Sequence, residues 1–136
     1  MGDSGRRRQH ELPRWSVVCA SWYERRMAKR RHDGELWLRQ AADDFRFARL
    51  AVERKFFAQA CFVAQQVGGK AAKAVHYHLG ARPVIGRSVQ ALLRRLNVRA
   101  AVSAALVTSG GELDQYYVAT RYPDALPGEP VHPPRV

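Results

Sequence analysis

An all-α, up-and-down bundle of four or five helices is the fold this sequence predicts. Apolar residues recur at intervals of three and four over most of residues 35 to 120, no period-two strand pattern is visible, and glycine, proline and capping residues cut the periodic stretches into rods of helical length. At 136 residues there is room for one domain and one modest core.

The first helix is set by Leu38, Ala41, Phe45, Ala48 and Val52, one face at spacings of three and four, with Asp33 and Gly34 where an N-cap belongs and Glu35 at the positive end of the helix dipole. A short turn at Arg54 to Phe56 leads into a second stripe of Phe57, Cys61, Ala64, Gly68, Ala71, Val75 and Leu79. Gly80 and Pro83 end it, so the two helices form an antiparallel hairpin. Gly68 and Gly69 each cost about 0.8 to 1 kcal/mol in a helix interior relative to alanine. The expected return is close approach of another helix, within the monomer or across a dimer. Ser88 caps a short third helix carrying Val89, Leu92, Leu93 and Leu96, and Val98, Val102 and Leu106 open a fourth. Ser109 to Glu112 interrupts the fourth helix, but its Ser-x-x-Glu spacing is also a capping box that restarts it towards the core-facing Leu113, Tyr116 and Tyr117.

Outside these helices the composition changes. Residues 1 to 34 read as a basic, poorly ordered extension, residues 35 to 126 as the folded domain, and residues 127 to 136 as a proline-rich tail. Met27, followed by Lys29, Arg30 and Arg31, is a candidate true start. The formal charge is +11, and residues 1 to 26 carry six basic and three acidic groups, so +8 belongs to the remainder. Clustered cations gain affinity for polyanions by releasing counterions, which makes nucleic acid, nucleotides or an acidic partner the natural ligands, although solvated helix faces also use arginine. No apolar run approaches the about twenty residues a membrane helix needs, and the charged first thirty residues do not read as a secretory signal. A cytoplasmic location is the expectation. Cys19 and Cys61 lie apart without ligand-spaced neighbours, and His76 and His78 are two residues apart on a helix, so neither a disulfide framework, a metal site nor a cofactor is expected.

Three segments together carry a resemblance: Leu38 to Phe45, Ala60 to Ala74 with its Ala-Cys-Phe-Val-Ala-Gln-Gln stretch, and Leu113 to Ala125 with Thr-Arg-Tyr-Pro-Asp. In that order and spacing the chain resembles the HEPN family, the nucleotide-binding domain shared by higher eukaryotes and prokaryotes. The resemblance implies a helical bundle that dimerises and works beside a minimal nucleotidyltransferase, as in a toxin and antitoxin pair. Many members are also metal-independent ribonucleases that use an Arg-x4-6-His motif near the C-terminal helix. This chain departs there. Its only such spacings run from Arg25 or Arg26 to His32, and Arg87 precedes Ser88 where relatives often carry histidine. Arginine stays protonated and cannot shuttle protons at neutral pH, so no catalytic residue is assigned.

The candidate phosphate ligands are Lys70 and Lys73, neighbours on one helix face, and Arg121, whose guanidinium suits bidentate contact with phosphate. Tyr122 can stack on a base. Asp124 either completes this site or pairs with Arg121 to lock the C-terminal segment onto the bundle. Arg87, Arg94, Arg95 and Arg99 form a candidate RNA surface or a solvated face. Gln65 and Gln66 need partners if buried, across helices or at a dimer contact, and with Gly68 and Gly69 they make the candidate structural or dimer positions. A nucleotide- or RNA-binding module, a ribonuclease toxin and a purely structural interaction protein are the three functions these residues allow.

Overall fold

The computed structural model describes residues 14–122. They form four helices, α1 (Arg14–Glu53), α2 (Phe57–His78), α3 (Val89–Leu96) and α4 (Ala104–Ala119), with no strand among the described residues. Pro123, Asp124 and the C-terminal tail lie outside them.

Helix α1 is the main departure from expectation. It runs unbroken from Arg14, so the anticipated cap at Asp33 and Gly34 is helix interior and residues 14 to 34, expected as poorly ordered extension, continue the rod. Packing explains why. A Cβ on Gly34 would stand 2.9 Å from the Ala74 carbonyl oxygen and 3.1 Å from the His78 backbone nitrogen, so Gly34 is where the two backbones of the hairpin press together. The face of α1 turned to α2 is made of small residues, with Gly34, Ala41, Ala48 and Ala51 buried, whereas Leu38, Phe45 and Val52 of the predicted stripe are more than half exposed on its flank. The 3-4 periodicity marks the helix correctly and its buried face only in part.

The α1–α2 turn closes as a left-handed cap. Lys55 takes φ 63°, and Phe56 N–H donates to the Ala51 carbonyl at 2.8 Å. Helix α2 ends in the same way, with Gly80 at φ 86° and Ala81 N–H reaching the His76 carbonyl at 2.9 Å. Ser88 caps α3 by accepting from Ala91 N–H at 3.0 Å.

Helix α4 starts at Ala104, later than Val98, because Ser103 caps it and Asn97 Oδ1 captures Val102 N–H in the preceding loop. It then passes through Gly110 and Gly111 without a break. A Cβ at Gly110 would meet Leu93 Cδ1 at 2.9 Å and Gln90 backbone at 3.2 Å, so this pair of glycines serves the α3–α4 crossing and no helix restart is needed. The core lies between α2, α3 and α4, around Ala72, Val84, Val89, Leu92, Leu93 and Leu96. His76 is buried at its edge, with Nε2 3.0 Å from the Leu92 carbonyl oxygen. Of the tyrosines expected to face the core, Tyr116 is exposed and Tyr117 half-buried.

Candidate functional site

Beside α2, between α1 and the start of α3, opens a polar cleft of about 320 Å³. Its walls are Trp37 from α1, Gln65, Gln66, Gly69, Lys70 and Lys73 from α2, Gly86 and Arg87 from the loop before α3, and Tyr117 from α4. Helical spacing accounts for the α2 wall, since residues 66, 69, 70 and 73 fall on one side of the rod.

Tyr117 gathers the cations. Arg87 Nη1 donates to its hydroxyl oxygen at 3.0 Å and Arg121 Nη1 at 3.1 Å, and both guanidiniums lie within 6 Å of its ring centroid. Arg121 also sits 5.5 Å from the Phe62 ring and 5.9 Å from that of Tyr122, which is itself exposed. Two arginines 34 residues apart in sequence thus converge on one phenol. Lys73 Nζ stands 5.3 Å from the centre of the Trp37 ring, and that ring stacks on Tyr77 at 5.7 Å.

Lys70 is bound differently from Lys73. Its ammonium is salt-bridged to Asp44 of α1. Burial pulls the Asp44 carboxyl up, but hydrogen bonds from Lys70 and Gln40 and the charge of Lys70 outweigh it and hold the carboxyl below the ordinary aspartate range.

The back of the cleft is a hydrogen-bond network centred on Asp114. Its carboxylate accepts from Ser88 Oγ at 2.7 Å, Val89 N–H at 2.8 Å, Gln90 N–H at 3.1 Å and Gln65 Nε2 at 3.2 Å. An acid carried by α4 therefore caps α3 from outside that helix. Burial raises this carboxyl too, and the four donors together overcome it and leave it below its usual value. Gln65, almost fully buried, also donates to the Arg87 carbonyl at 2.9 Å and accepts from Gln66 at 2.7 Å. The buried amide thereby fixes the backbone of the residue that presents the Arg87 guanidinium.

Of the residues singled out from the sequence, Lys70, Lys73, Arg87, Gln65, Gln66 and Gly69 line this one cleft, and Arg121 reaches it through Tyr117. Gly68 faces elsewhere, its Cβ position 3.2 Å from Val89 and Leu113 side chains, while Gly69 has open space. Arg94 and Arg99 are exposed outside the cleft, and Arg95 is spent on the Ile85 carbonyl at 2.6 Å. Asp124 lies outside the described residues. Sequence reasoning missed Trp37, Asp44, Asp114 and the central position of Tyr117. Trp37 and Asp44 are seven apart, two turns along one helix side, which is a usable signal; Asp114 carries no local one.

Comparison with known proteins agrees with this fold. The profile described as HEPN domain matches residues 35–131. The crystal structure of the protein TT1696 from Thermus thermophilus is similar at a TM-score of 0.67, with 38% sequence identity over 72% of this chain and 76% of that one. No functionally curated protein matches. Profile and structural neighbour together cover most of the chain, and the chain belongs to the HEPN domain family.

Proposed function

We propose that the polar cleft binds a nucleotide or a nucleotide unit of RNA, with residues 35 to 126 as the binding domain. The observation that carries this reading is the convergence of Arg87 and Arg121 on the Tyr117 hydroxyl beside Lys73 and the amide of Gln66. Guanidiniums held by a shared acceptor are pre-positioned for bidentate contact with phosphate, and the Trp37 ring, stacked on Tyr77, supplies an apolar surface for a base. Among the described residues, the titratable groups that line the cleft directly are Lys70, Lys73, Arg87 and Tyr117, while the neighbouring carboxylates are already engaged, Asp114 by four donors behind the cleft and Asp44 by Lys70. That set favours binding over the acid–base chemistry of the family's ribonucleases. Calorimetry with ATP tests it: Arg87→Ala combined with Arg121→Ala should weaken binding at least about tenfold, and unchanged affinity would remove the cleft from the account. Growth arrest and metal-independent RNA degradation on overexpression would instead support a ribonuclease toxin.

A separate observation favours self-association. On the far side of α2 from the polar cleft, a groove of about 380 Å³ is lined almost wholly by apolar and small residues, including Gly68, Ala71, Val75, Leu93, Leu106 and Leu113. We read it as part of a homodimer contact, with a minimal nucleotidyltransferase as the further protein partner that the family resemblance supports, in a toxin–antitoxin-like pair. Light scattering on wild type and Val75→Glu distinguishes dimer from monomer, and co-expression with an adjacent nucleotidyltransferase gene tests the partner.

A further inference from the structure

A second cationic cleft, of about 420 Å³, lies along the N-terminal half of α1 and is lined by Trp22, Arg25, Arg26, Lys29, Arg30 and Arg82. Every charged group in its wall is positive. Arg26 lies over the exposed Trp22 ring at 4.6 Å, and Arg30 Nε is buried without a hydrogen-bond partner among the described residues. All but Arg82 precede residue 35, where the match to the family begins. The HEPN domain therefore assigns no role to these positions.

A third recess shares wall residues with this cleft and with the polar one. Arg82, which is ion-paired with Asp33, also lines a recess formed with Asp33, Leu36, Trp37 and Tyr77, and Trp37 is in turn a wall of the polar cleft. Apart from the Asp33 carboxylate, which is paired with Arg82, and the aliphatic Leu36, cations and rings alternate along the line. Arg26 meets Trp22, Arg82 lies 5.4 Å from the Tyr77 ring, Tyr77 stacks on Trp37, Lys73 meets Trp37, and Arg87 and Arg121 flank Tyr117. From Trp22 to Trp37 alone the helix rises about 22 Å at about 1.5 Å per residue.

We infer that this line is a path for single-stranded RNA, running from the polar cleft along α1 to Trp22. The inference rests on the nucleotide-binding reading of the polar cleft and extends it to a chain of nucleotides. A mononucleotide would fill one of three adjoining recesses and leave the others without a use. In a single strand, phosphates track a cationic groove while unpaired bases stack on side-chain rings, and that is the alternation present here. A duplex keeps its bases stacked inside and offers the rings nothing.

The test is fluorescence anisotropy of the full chain with fluorescein-labelled uridine RNAs of 12 and 3 nucleotides, beside calorimetry with ATP. The 12-mer should bind at least about tenfold more tightly than the 3-mer. Arg26→Glu with Lys29→Glu should erase that gain, Trp22→Ala should reduce it severalfold, and both should leave ATP affinity within about twofold, since these residues lie outside the polar cleft. For the wild-type protein, the salt dependence of 12-mer binding should be steeper than that of the 3-mer, by about 0.7 in log K per log salt for each additional phosphate neutralised. These two wild-type measurements stand even if a variant fails to fold. Equal affinity for 3-mer and 12-mer, equal binding of a 12-base-pair duplex, or equal competition by polyglutamate would each overturn the path. Retained ATP binding without length dependence would sink this inference alone. Loss of both ATP and RNA binding would sink the nucleotide reading and the path with it.

Discussion

Asp114 of α4 and Ser88 at the start of α3 are joined by a 2.7 Å hydrogen bond, and the same carboxylate takes the N–H groups of Val89 and Gln90 that the new helix leaves unpaired. One side chain thereby fastens α3 to α4 and, through Gln65, to α2. Asp114→Ala removes the acceptor from four donors at once. A loss of about 2 to 4 kcal/mol is expected, with a fall in Tm of about 10 °C or more by thermal denaturation.

The same carboxylate predicts a pH dependence. Its folded-state pKa is lowered, so its stabilisation is complete above the unfolded aspartate value of about 3.9 and is lost as pH falls from there through the lower folded value. Urea midpoints should therefore drop on acidification below about pH 4, and the drop should be shallower in Asp114→Asn. Identical slopes for the two proteins would show that Asp114 does not contribute.

Gly34 and Gly69 are both helix-interior glycines and should respond oppositely to alanine. At Gly34 the new methyl meets α2 backbone, which cannot swing aside, so destabilisation is expected despite a gain of about 0.8 to 1 kcal/mol in helix propensity. At Gly69 nothing lies within 4 Å of the added carbon, and the propensity gain should appear in full as higher stability. Chemical denaturation of the two variants checks the pair.

Tyr117→Phe isolates the hydroxyl that both arginines share. Removing it leaves the ring and the bundle intact but releases Arg87 and Arg121 from a common anchor. The expected result is about a threefold to tenfold loss of ATP affinity, the worth of about one hydrogen bond, with Tm nearly unchanged.

Asp44→Asn frees Lys70 from its salt bridge. The pair is partly buried, so a stability loss of about 1 kcal/mol is expected, while the released ammonium should raise the affinity for ATP and steepen its salt dependence. Weaker ATP binding in this variant would mean that Asp44 assists the ligand instead of competing with it.

How much can be read in advance differs from residue to residue. The α1–α2 hairpin, the stop at Gly80 and the Ser88 cap are local events, settled by residues within one or two turns of each other, and they are legible in the chain. The start of α1 is not, because Asp33-Gly34 has the chemistry of a cap, whereas the α2 backbone packed on Gly34 makes it a contact point. Likewise, Gly110 and Gly111 resemble a break in isolation and become an asset only where Gln90 and Leu93 approach. Lys70 and Lys73 are equivalent in sequence; Asp44 beside one and Trp37 beside the other make them different.

The sequence by itself determined the helical class, the family and the excess of positive charge, because periodicity, motif spacing and composition are properties of the chain that survive any arrangement of its rods. Only the tertiary structure decided which cations share a cleft. Trp37 of α1, Lys70 and Lys73 of α2, Arg87 before α3 and Arg121 after α4 come from four separate stretches of the chain, and their meeting depends on helix crossings at glycine and alanine contacts together with an aspartate that ties α3 in place. Those are distances between backbones distant in sequence, and they follow from how small side chains let helices approach, which no window along the chain records.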